Sequence, residues 1–99
     1  MKIERMAGAE ILSEKARAIA LKQGVVIDEC AWQIGDDLDH EHAHRLDLLA
    51  ADKTVRLYFR DLELTTSGNV ARTRRSEQRL RDAVAQLLPR SPAATYTYQ

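Results

Sequence analysis

The 99-residue chain is poor in cysteine, proline, glycine and aromatic residues: one, two, four and five, respectively. A single cysteine, Cys30, leaves no internal disulfide, which fits a reducing compartment, so the cytoplasm is the expected location. The few glycines form no phosphate-cradling loop, and neither a Gly-x-Ser-x-Gly elbow nor a Cys-x-x-Cys pair occurs. An enzyme and a cofactor are therefore not expected. No run approaches the roughly 18–20 apolar residues of a membrane span, so no membrane partner is expected. Met1-Lys2-Ile3-Glu4-Arg5 has no apolar stretch behind its charges, so no secretory signal is expected either.

What is present is an ordinary globular balance, 44% hydrophobic and 30% charged, at a length that suits one domain. Fifteen basic residues match fifteen acidic ones, so there is no net pull toward a polyanion or a membrane surface. The signs are nevertheless segregated. Residues 28–52 hold one arginine against eight carboxylates, while residues 53–99 hold nine basic groups against four acidic ones. Such asymmetry can serve a partner, or be neutralised within the chain or between two copies.

Residues 7–23 read as a helix rich in alanine, with Leu12, Ala16 and Ile19 on one stripe and Gly24 placed to end it. Residues 25–34 read as a strand in which Val26, Cys30, Trp32 and Ile34 share a face and Asp28 interrupts the pattern, as at a bulge or an edge. Residues 45–50 and 55–60 alternate cleanly around a tight connection at 51–54, the pattern of a β-hairpin. Leu46, Leu48, Val55, Leu57 and Phe59 fall on its inner face. Leu62 and Leu64 continue the alternation with flipped parity, which a bulge near Arg60-Asp61 explains. After a loop at 65–69, residues 71–88 read as a second amphipathic helix, with Leu80, Ala83, Val84, Leu87 and Leu88 inward and Pro89 as its stop. The expected fold is α+β: a two-layer sandwich in α-β-β-β-α order, its three-stranded antiparallel sheet covered on one face by two helices. Residues 1–89 form the domain, and 90–99 a flexible tail.

Three constellations could carry function. Residues 36–44 contain Asp36, Asp37 and Asp39 beside His40, His42 and His44. If extended, the three imidazoles share one face about 6.5–7 Å apart and could chelate zinc, nickel or copper; the alternatives are a solvated polar loop and a pH-sensitive contact. The last helix carries Arg72, Arg74, Arg75 and Arg79 near its start, against the helix dipole, which suggests that something else favours them there. Their forked donors suit carboxylate or phosphate; the alternative is a solvated helix face with local pairs, Arg74 with Glu77 and Arg79 with Asp82 among them. Trp32, Tyr58 and Phe59 could stack on bases, although Trp32 and Phe59 read as core and Tyr58 as exposed.

The α-β-β-β-α order is shared with double-stranded RNA-binding domains. The loop those domains insert into the minor groove corresponds here to residues 36–41, whose carboxylates oppose phosphate, so no functional residue carries over. The expected function is non-enzymatic binding of a protein partner, a second copy included as a homodimer. The acidic segment and the arginine helix serve as separate contact surfaces. Nucleic-acid binding by the arginines and metal binding by the histidines are the alternatives.

Overall fold

The computed structural model describes residues 4–36, 39, 42–51, 53–66 and 69–88. Its elements are α1 (Arg5–Lys22), β1 (Glu29–Ile34), β2 (His44–Ala50), β3 (Lys53–Phe59), α2 (Asp61–Thr65) and α3 (Val70–Leu87). The strands form one antiparallel sheet in the order β1-β2-β3, and α1 and α3 cover the same face of it, as expected from the sequence. Asp37, His40 and the tail at 90–99 lie outside the described residues.

α1 buries Gly8, Ala9, Leu12, Ala16 and Ala20, a stripe of mostly small side chains that lets its backbone sit close to its neighbours. The approach is tightest at Gly8, where a β-carbon would lie 1.7 Å from the Leu64 carbonyl oxygen. The helix ends as its glycine implied. Gly24 takes φ +81°, its N–H returns to the Leu21 carbonyl, and the Val25 N–H returns to the Ala20 carbonyl. These two bonds satisfy carbonyls that the helix end leaves open.

The sheet begins later than its β-branched residues suggested. Val25 and Ile27 are buried, Val26 is 68% exposed, and regular pairing starts only at Glu29. Residues 25–27 are thus a lead-in of opposite parity. Asp28 fixes its end: its N–H donates to the Leu49 carbonyl (2.7 Å), and its carboxylate accepts the Ala51 N–H (2.9 Å). Ala51, which follows the Ala50–Lys53 pair at the end of β2, has φ +55°, a left-handed conformation that costs an L-residue about 1 kcal/mol. One carboxylate therefore ties the start of β1 to the strained turn of the hairpin.

Leu46 and Leu48 of β2 and Val55, Leu57 and Phe59 of β3 are buried under the helices, together with Leu80, Ala83, Val84 and Leu87 of α3. Trp32 packs against Phe59 (centroids 5.6 Å apart) and donates from its indole N–H to Ser13 of α1 (2.7 Å). The other face of the sheet is polar. On it Arg56 reaches the Asp47 carboxylate (2.9 Å), and Arg45 approaches it to 3.7 Å.

The largest departure from the sequence reading follows Phe59. No bulged strand continues through Leu62 and Leu64; the chain leaves the sheet and turns into α2. Leu64 is fully buried and Leu62 is 54% exposed, so the two leucines do not share a face. The local chemistry favours the turn. Asp61 and Glu63 are acids in a first helical turn, and Glu63 accepts the Arg60 backbone N–H (2.8 Å). α3 starts at Val70, one residue earlier than expected, because the Asn69 side chain caps it by accepting the Arg72 N–H (2.9 Å).

Candidate interaction site

α2 is only five residues long, yet it sorts its side chains into two environments. Asp61 turns inward. One of its oxygens meets His44 Nε2 at 2.8 Å, and Arg5 donates to both, with Nη2–Oδ2 at 3.0 Å. The Gly35 N–H donates to His44 Nδ1 (3.2 Å), which leaves Nε2 as the protonated nitrogen that donates to Asp61. Foremost the Arg5 guanidinium, and with it His44, hold the Asp61 carboxyl down at about 2, against burial acting the other way. This knot joins α1, the end of β1, β2 and α2. Nothing local in the sequence announced it, because its members lie up to 56 positions apart.

The outward side of α2 faces α3. Arg60, Leu62 and Glu63 line a groove of about 400 Å³ with Arg72, Arg75 and Arg79. Glu63 is the one carboxylate in this lining, and it is already engaged. Arg79 Nη1 contacts both its oxygens (3.0 and 3.3 Å), and the Ser76 hydroxyl approaches at 3.4 Å. Arg79 also donates to the Tyr58 carbonyl and lies over the Phe59 ring, 4.4 Å from its centroid. It closes the open edge of β3 rather than reaching for solvent.

Arg72 and Arg75 differ from Arg79. Neither guanidinium has a hydrogen-bond or ion-pair partner among the described residues. Arg75 is exposed and Arg72 half-buried. Most other cations find an anion: Arg5 has Asp61, Lys15 and Arg81 share Glu77, and Arg45 and Arg56 share Asp47. Two arginines at i,i+3 on one helix repel by a few tenths of a kcal/mol, and Arg60 adds a third cation opposite them. Arg74, between Arg72 and Arg75 in sequence, is exposed and does not line the groove. The sequence reading grouped Arg74 with the others and missed Arg60, which α2 alone brings into place.

A second depression adjoins the groove. It holds about 200 Å³ between α1, α2 and α3 and is lined by Ile11, Leu12, Leu64, Thr73 and Ser76. Glu63 and Arg72 border both depressions.

The acidic segment is less available than its composition suggests. Asp28 is committed to the hairpin turn and Asp47 to two arginines. Asp36 and Asp39 are exposed. They leave the sheet at the end where Ile34, His44 and Phe59 are in register, the end from which Arg60 also departs. His42 packs on Tyr58, with centroids 4.9 Å apart. His44 is fully buried, and both its ring nitrogens are hydrogen-bonded. Among the described residues no three His, Cys, Asp or Glu side chains are grouped to hold a metal, and no helix is long and apolar enough to cross a membrane. The chain matches no protein-family model, no curated protein and no solved structure.

Proposed function

We propose that the protein is a non-catalytic interaction module that docks an acidic segment of a protein partner against Arg60, Arg72 and Arg75. One observation carries the reading: a groove with four arginines and a single carboxylate, that carboxylate already neutralised by Arg79. The guanidinium groups of Arg72 and Arg75, with no partner among the described residues, favour an external oxyanion, giving orientation and rate more than raw affinity. Asp36 and Asp39 leave the same end of the sheet as Arg60. A patch holding both signs can be self-complementary, as a two-fold contact between copies requires.

Titration of labelled polyglutamate at rising sodium chloride tests the reading, with solution mass measured alongside. Expected is saturable binding that weakens with salt and is lost in Arg72→Gln and Arg75→Gln but kept in Arg74→Gln. Absence of binding at low salt overturns it. Tighter binding of an oligonucleotide than of polyglutamate, with a steep salt slope, replaces it by the nucleic-acid reading. A salt-sensitive dimer that excludes polyglutamate identifies the second copy as the partner. A metal role for His40, His42 and His44 has less support, because coordination at His44 requires breaking one of its two hydrogen bonds. Elemental analysis of untagged protein checks it.

A further inference from the structure

We infer that the groove is a site for a phosphomonoester on a protein segment, and that the adjoining depression takes an apolar side chain of the same segment. This rests on the proposed docking of an acidic protein partner and names the chemistry it recognises. The groove suits a compact dianion better than a single carboxylate. Its lining carries four guanidinium groups against one carboxylate, and Glu63 is turned to Arg79, Ser76 and the Arg60 N–H. Arg60 approaches from the start of α2, and Arg72 and Arg75 from one face of α3, so the cations converge from two elements. A phosphoryl group offers three acceptor oxygens and close to two charges, enough for several forked donors at once. The Asn69 side chain already occupies the Arg72 N–H, so recognition falls to the side chains.

The second depression decides the source of the phosphate. At about 200 Å³ it is smaller than typical small-molecule sites of ~300–1,000 Å³. Ile11, Leu12 and Leu64 give it apolar walls, Thr73 and Ser76 supply hydroxyls, and Lys15, whose ammonium is held by Glu77, stands at its border. Because Glu63 and Arg72 border both depressions, a ligand that fills both has its anion and its apolar group side by side. Adjacent residues of a peptide meet that requirement. A nucleic-acid backbone presents a row of phosphates, whereas this groove of about 400 Å³ borders a depression with apolar walls at Ile11, Leu12 and Leu64.

The probes are inorganic phosphate, a blocked phosphothreonine-leucine dipeptide, its glutamate-leucine counterpart and a phosphorylated mononucleotide, each at matched ionic strength. Phosphate is expected to raise the unfolding midpoint above that in sodium chloride. The effect should grow as pH rises through about 6, where the monoester gains its second charge. The phosphodipeptide is expected to bind at least about tenfold more tightly than inorganic phosphate or the glutamate dipeptide. Arg72→Gln and Arg75→Gln should abolish this preference, Arg74→Gln should keep it, and Ile11→Ala, at a 43% exposed wall of the depression, should reduce only the gain from leucine. Equal effects of phosphate and chloride overturn the inference. If polyglutamate still binds in that case, the docking reading survives without it; if neither binds, both fail. Binding of the mononucleotide at least as tightly as the phosphodipeptide overturns the protein source.

Discussion

The two sides of α2 use arginine in opposite ways. On the inner side, Arg5 is locked to Asp61, which also takes a hydrogen bond from the buried His44. On the outer side, Arg60, Arg72 and Arg75 gather around one carboxylate that Arg79 has already claimed. The residue type is the same, and adjacent positions of one short helix separate the two settings. What differs is the supply of acceptors. A cation whose acceptors come from the fold holds the fold together, whereas Arg72 and Arg75 find none among the described residues and are the ones offered to a ligand. Arg79 is the intermediate case: it belongs to the basic face but spends its donors on Glu63 and Tyr58.

Four variants or conditions break or sharpen this contrast. The largest effects belong to the inner side. Gly8→Ala places a methyl group against the Leu64 carbonyl, which cannot move without displacing α2, and should cost about 3 kcal/mol in urea unfolding. His44→Ala opens a cavity and strands both the Gly35 N–H and one bond to Asp61. A loss of about 3 kcal/mol is expected. A loss below about 1 kcal/mol would show that the knot is not structural.

Acid is the next lever. Asp61 is lowered from 3.8 to about 2 in the folded state, so its contribution is fully present above about pH 4. That contribution is lost as pH falls toward 2, and its size is on the order of 1–2 kcal/mol. Asp61→Asn should remove this part of the pH profile, which denaturation at several pH values checks. The smallest effect belongs to the outer side. Arg75→Gln should change stability by no more than about 0.5 kcal/mol, since it breaks no bond among the described residues. A large loss on Arg75→Gln would erase the distinction between the two sides.

What could be read in the sequence was what is written locally. Gly24 after an alanine-rich helix, and the alternation of residues 45–50 and 55–60 around a tight connection, depend on neighbours in the chain; the helix stop and the hairpin both formed, with β3 starting two residues earlier, at Lys53, and ending at Phe59. α2 was misread because Leu62 and Leu64 are two apart, the spacing of a strand face. The acids at Asp61 and Glu63, an available signal for a helix start, were outweighed by the apolar pattern. The arginine run was visible, but its division was not. Arg79 meets Glu63 across 16 positions, and Arg60 reaches the groove only because α2 exists. His44 looked like one of three equivalent imidazoles. Its burial depends on Gly35 and on Asp61, 17 positions away.

The contrast is tested most directly by measuring stability and polyglutamate affinity together in Arg5→Gln and Arg75→Gln. Expected is a crossover. Arg5→Gln lowers the unfolding free energy but binds normally once corrected for the folded fraction, whereas Arg75→Gln keeps its stability and loses binding. If both variants lose stability and affinity in parallel, the arginines beside α2 form a single structural network, and the basic groove is not a separate binding site.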